Sequence, residues 1–391
     1  MSVNKHYKFG GSTAARTLAC PAWQIKRQSL PKALTAATSN IFADRGTLLH
    51  EAMEEYIRKG NKDLDFDSAE YVGTCLNDAI LSQEDIDEDL NPAIDAYDEF
   101  CEQEGVTEEM PEIDCYIDDE IGGTCDVLAY NADTVYVFDH KFGYNYVSPE
   151  ESAQGLFYAM CAREDAENRY DHVFTPERVN LVIGIIQPAN AAQDKDIVQV
   201  WRTDMERLNA FSDEFFDSLD EATEADLNSG GHCKYCPVTT VCPEKTGLAR
   251  KALLLDTTDI KHLSVAMTMV EELEEWCKSI KAAAHNQADL GNKIDGYKLV
   301  AKRSIRKWND EEAALNKVRK ARKIRLEAAV DMKLLSPPKF EKVCKKLGVD
   351  FEAYADYISA VSSGSTLVPE SDKRPELLSV EAIGSAIASI E

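Results

Sequence analysis

Residues 122–130 read Gly-Gly-Thr-Cys-Asp-Val-Leu-Ala-Tyr, residues 131–133 Asn-Ala-Asp, and residues 134–141 Thr-Val-Tyr-Val-Phe-Asp-His-Lys. Two β-forming runs flank a segment of turn chemistry, so the stretch predicts a hairpin. Side chains alternate faces along a strand, which places Val135, Val137, Asp139 and Lys141 on one face. Two apolar residues thus give way to a carboxylate and an ammonium at the strand's end.

The surrounding charge sharpens this. From Asp63 to His140 the chain has no Lys or Arg and 25 Asp and Glu, so Lys141 is the first cation to follow. A lysine two residues after an aspartate, with Asp126 one hairpin away, suits a divalent cation and a hydrolytic water: carboxylates hold the cation and the ammonium meets developing negative charge. Asp-x-Lys alone is short and common, and equally describes a solvated pair at a hairpin end.

With 391 residues, 44% of them apolar and 29% charged, the chain has room for two domains or for one with an appendage. No apolar run reaches membrane-spanning length and the N-terminus lacks a signal pattern, so a cytoplasmic protein without a membrane is expected. Eleven scattered cysteines do not form a disulfide framework. The net charge of −27 excludes a protein that grips nucleic acid over its whole surface. Two segments run against that balance: 1–62 carry ten Lys and Arg against four acids, and 298–325 eleven against three. Such patches can funnel a polyanion, or be solvated helix faces.

Along the chain, helices are expected over Ala14–Leu18, over Asp44–Lys59 (which places His50 and Glu54 on one face), around Tyr71–Leu81 and Pro92–Cys101, over Pro149–Ala162 with Gln154 and Tyr158 one turn apart, and over Asp204–Leu219, 265–290 and 310–330. Asn180–Gln187 reads as a buried strand, Val198–Thr203 as its partner, and Tyr297–Arg303 as a short β piece. Domain 1–250 is followed by a helical, basic region 251–362 and a flexible tail 363–391.

Cys233, Cys236 and Cys242 are separated by two and then five residues, next to Gly230-Gly231. A tight turn lets two thiolates reach one metal and the next loop supplies a third, while Cys20, before Pro21, is the candidate for a fourth. An iron–sulfur cluster, a zinc knuckle and a metal-free trio all fit that spacing.

The order His50 after Gly46, Asp126 in Gly-Thr-Cys-Asp, Asp139-His140-Lys141, then Gln154 and Tyr158, with one early and three late cysteines, resembles the RecB-like branch of the PD-(D/E)XK nuclease superfamily. The cysteine bracket looks like that of the iron–sulfur members found in AddB and in the CRISPR adaptation nuclease, and the chain is also similar to phage proteins of that layout. The resemblance spans most of the chain, including Gly296–Val300 and Arg306–Trp308. It implies a mixed α/β core, a central sheet flanked by helices, and a mostly helical C-terminal region. His50, Asp126 and Asp139 would be ligands of Mg²⁺ or Mn²⁺, joined by the His140 backbone carbonyl. Lys141 would orient the attacking water, and Gln154 and Tyr158 would support the site or touch DNA. Cys20, Cys233, Cys236 and Cys242 would hold a [4Fe–4S] cluster.

The implied activity is that of a DNA exonuclease in phage recombination, replication or host DNA degradation, in the host cytoplasm. Its partners would be DNA and a single-strand annealing or single-strand-binding protein, and an oligomer is compatible with it. His140 itself, on the face opposite Asp139, is expected to pack. A rival expectation is an acidic DNA mimic or an inactive nuclease fold used for binding, which suits the −27 charge but not Lys141 or the cysteines.

Overall fold

A computed structural model of the chain describes residues 7–30, 41–60, 64–222, 227–289, 291–297, 344–345 and 350–352. Residues 1–300 form one compact unit and 301–391 a second. The basic segment 298–325, the helix expected over 310–330, nearly all of the β piece at 297–303 and the tail lie outside the described residues.

The quoted stretch is a hairpin. β1 (Glu108–Tyr116), β2 (Gly122–Tyr130), β3 (Thr134–His140), β4 (Asn180–Ile186) and β5 (Val198–Asp204) form a mixed sheet in that order, antiparallel except where β3 runs parallel to β4. Asn131 Oδ1 accepts the N–H groups of Asp133 and Thr134 at 3.1 and 2.9 Å, which closes the β2–β3 turn. Every residue of β3 is buried, as a central strand covered on both faces requires.

Helices cover both faces. α1 (Gly11–Ala19), α5 (Ala153–Arg163) and α6 (Met205–Glu221) pack on the face that carries Val135 and Val137. α3 (Ile41–Gly60) and α4 (Asn91–Glu104) pack on the face of Tyr136 and Phe138. α2 (Trp23–Gln28) follows α1, and α7 (Pro243–Leu253) and α8 (Ile260–Asp289) follow the late cysteines. α5 crosses between β3 and β4, which is how parallel neighbours are joined. Among the described residues no helix is long and apolar enough to cross a membrane.

Two segments differ from expectation. Tyr71–Leu81 is not a helix but a short 3₁₀ turn (Ser68–Tyr71) and a two-residue ladder of Cys75–Leu76 with Ala79–Ile80. Gly73 at φ +87° and Asn77 at φ +49° take left-handed conformations that no right-handed helix contains. β1 has no forecast, because Pro111 and the four carboxylates of Glu108, Glu109, Glu112 and Asp114 hide its alternation. It is an edge strand, where Pro is tolerated. Glu112 (φ +48°) and Asp126 are both skipped between the pairs Pro111–Val127 and Ile113–Cys125, so the ladder opens there without a change of register.

Candidate metal centre and cysteine pocket

The site forms where the β2–β3 hairpin opens. Val127 pairs with Phe138, so Asp126 and Asp139 come next on their strands at the same end. The His140 N–H donates to Asp126 Oδ2 at 2.7 Å and locks that carboxylate across the hairpin. Midway along α3, His50 brings Nδ1 to 3.4 Å from the same oxygen, and His140 Nδ1 stands 3.6 Å from it. Among the described residues, His50, Asp126 and His140 are the group of three whose ligand atoms all lie within 4.8 Å of one another.

Asp139 faces the other layer. Lys141 Nζ donates to Asp139 Oδ1 at 2.7 Å and lies 2.6 Å from Oδ2. Gln154, in the first turn of α5, donates to Asp139 Oδ1 at 3.1 Å and accepts from Lys141 at 3.4 Å. Tyr158, one turn on, is hydrogen-bonded to Gln154. Its ring fills the space over Gly11, where a Cβ would stand 2.5 Å from Tyr158 Cζ. The glycine pair opening α1 is what lets the tyrosine sit under the site.

Burial sets the electrostatics. It pushes the Asp126 carboxyl up to about 6, against the His140 N–H bond and Lys141. It pushes Asp139 up to about 6 as well, with Lys141 pulling down and Asp126 pushing up. Burial brings His50 down to about 4, while Asp139 opposes that shift. Burial, then His50 and Lys141, hold His140 well below the usual imidazole range. At neutral pH both imidazoles are therefore electron-pair donors, and two carboxylates are ionised in a place that disfavours their charge.

The structure thus gathers His50, Asp126, Asp139, His140, Lys141, Gln154 and Tyr158 in one region, in two groups. The imidazoles gather on Asp126, and Lys141 and Gln154 on Asp139. Sequence reasoning passes over Glu112, which the β1–β2 register sets opposite Asp126. Burial pushes its carboxyl up to about 8, with Asp126 and Glu54 pushing the same way. Several cations of the basic N-terminal segment pair internally: Lys8 with Glu120 at 2.9 Å, Arg58 with Glu54 and Lys59 with Glu55 at 2.7 Å, and Arg45 with Asp85 and Asp89.

The cysteines converge as well. Cys20 follows α1, Cys233 lies within a 3₁₀ turn (Gly231–Tyr235) that Cys236 ends, and Cys242 caps α7. All four line one cavity of about 270 Å³, open side included, together with Arg16, Trp23 and Lys245. Asn228 N–H donates to Cys20 Sγ at 3.4 Å, and Arg16 Nε to the His232 carbonyl at 3.4 Å, which joins the two distant segments. Burial raises the Cys20 and Cys236 thiols, and Arg16 draws Cys236 back toward the thiolate.

A crystal structure described as that of SSO0001 aligns with 56% of this chain and 96% of its own length, at 12% identity and a TM-score of 0.21. The family described as "Protein of unknown function (DUF2800)" matches residues 6–375, and the chain belongs to that family.

Proposed function

We propose that the chain is a divalent-cation-dependent DNA nuclease with a PD-(D/E)XK core of the RecB-like kind, acting as an exonuclease. The observation that carries this reading is the convergence of His50, Asp126, Asp139 and Lys141 on one hairpin end. The donor set fits a cation: an imidazole and two carboxylates converge, and although Lys141 offsets Asp139, no cationic side chain pairs with Asp126 among the described residues. A bound Mg²⁺ or Mn²⁺ supplies charge neutralisation at the phosphate and an acidified water. The protein's share is positional. Gln154 fixes the Lys141 ammonium beside Asp139, Tyr158 fixes Gln154, and Lys141, 28% exposed, meets the charge of an incoming phosphodiester.

We propose that the four thiols hold a [4Fe–4S] cluster, as the resemblance implies. Arg16 lines the pocket and offsets part of the negative charge of four thiolates around a cluster, while Lys245 is paired with Glu272. The cluster's role is to staple α1 to the segment before α7.

End-labelled linear DNA and closed circular DNA, incubated with Mn²⁺ and with chelator, test the activity. Cation-dependent loss of the linear substrate alone is expected, and cutting of the circle would make the enzyme an endonuclease. Brown, anaerobically purified protein with broad visible absorbance is expected for the cluster. Colourless, zinc-containing protein would refute that assignment.

A further inference from the structure

We infer that the His140 imidazole is itself a ligand of the cation, so that the site is nitrogen-rich and prefers Mn²⁺ over Mg²⁺. This rests on the cation site proposed above and not on DNA cleavage. It departs from the set implied by resemblance, where His140 offers only its backbone carbonyl.

The geometry makes the case. His50 Nδ1 and His140 Nδ1 stand 3.4 and 3.6 Å from the one oxygen, Asp126 Oδ2. Ligand bonds of about 2.1 Å in a tetrahedron subtend about 3.4 Å between donors, so a cation fits among these atoms with little movement. The distance from His140 Nδ1 to Asp126 is also too long for a hydrogen bond. The ring's other nitrogen, Nε2, is buried with no hydrogen-bond partner.

An imidazole in this place needs a reason. Its ring, 3% exposed, packs edge-on to His50 at 5.7 Å between centroids, stacks on Phe142 at 6.4 Å and meets Tyr97 at 6.5 Å. Leu or Phe would fill such a pocket without burying two polar nitrogens. A cation on Nδ1 gives the ring the partner it lacks and fixes the proton on Nε2. Nε2 has no protein partner among the described residues, so a ligating His140 would donate that N–H to a buried water.

Cation choice follows from donor type. Mg²⁺ takes oxygen ligands and parts with water reluctantly, whereas Mn²⁺, also at home with oxygen, is a transition ion that accepts imidazole more readily. Two imidazoles beside the carboxylates therefore favour Mn²⁺ over Mg²⁺.

The test uses the full chain loaded with Mn²⁺ alone. Electron spin echo modulation should show two directly bound imidazole nitrogens, and growth on ¹⁵N-histidine should convert both couplings. His140→Leu should keep one nitrogen and lose Mn²⁺ affinity by roughly tenfold or more, with Mg²⁺ affinity unchanged. One nitrogen in the unaltered protein, no bound Mn²⁺, or an unchanged Mn²⁺/Mg²⁺ ratio in His140→Leu would overturn the inference. If that variant does not fold, the isotope measurement decides alone. Two nitrogens in a protein that cuts no DNA would keep this inference and sink the nuclease reading; one nitrogen in an active enzyme would do the reverse.

Discussion

Both carboxylate oxygens of Asp139 lie against the Lys141 ammonium, at 2.7 and 2.6 Å. The pair neutralises itself in the cation-free protein, and Gln154 bridges both partners. Lysine here repels an arriving cation while preparing the site for a phosphate. Replacing Lys141 with Ala should therefore tighten Mn²⁺ binding, read by calorimetry, while cleavage falls by about 10² or more. Weaker Mn²⁺ binding in Lys141→Ala would mean that the ammonium orders Asp139 rather than competing for it.

Asp126 is held ionised where burial opposes its charge, with its carboxyl at about 6 instead of 3.8. A raised acid stabilises the fold below its unfolded value and loses that contribution as pH rises through the folded one. At pH 7.5 the ionised group thus weakens the cation-free fold by an amount on the order of 2–3 kcal/mol. Asp126→Asn should raise the thermal midpoint of cation-free protein at pH 7.5. The gain should shrink as pH falls through 6 toward 4, where the native acid is neutral too. An unchanged or lower midpoint at pH 7.5 would show that the His140 N–H bond outweighs burial.

Cation affinity should follow the same groups. Asp126 and Asp139 both lose their charge near 6, while His50, at about 4, stays an electron-pair donor throughout. Mn²⁺ affinity should be flat from pH 8 to about 7 and fall steeply below 6. A fall that begins with an imidazole-like midpoint above 6.5 would contradict this order.

Gly11 carries a steric prediction. A methyl group there would meet the Tyr158 ring at 2.5 Å, and that ring supports Gln154. Gly11→Ala should lower stability by about 1–3 kcal/mol and reduce cleavage. The paired variant Gly11→Ala with Tyr158→Phe should not restore either, since the ring remains.

Much of this was legible in the residues. The hairpin could be read because turn chemistry separates two β-branched, aromatic runs, and period-two alternation then aligned Asp139 with Lys141. Gln154 and Tyr158 followed from helical spacing. The edge strand β1 escaped because Pro111 and its acids obey tertiary context rather than propensity, and with it went Glu112, whose place opposite Asp126 depends on that strand's register. Alternation set the His140 ring on the face opposite Asp139, where it does lie. It gave no sign that Asp126, where the β1–β2 ladder opens, would turn one oxygen to within 3.6 Å of that ring. The internal pairing of Lys8, Arg45, Arg58 and Lys59 was hidden for the same reason: a count of charges does not say which carboxylate each one meets.

The central claim is that the β2–β3 hairpin end hydrolyses phosphodiesters. The direct measurement is the release of nucleotides from end-labelled linear DNA, by wild-type chain and by Lys141→Ala of equal thermal midpoint, with Mn²⁺ present. Release by the wild type, abolished by chelator and reduced at least about a hundredfold in the variant, is the predicted result. No release by protein with Mn²⁺ bound, or equal release by both proteins, would contradict it.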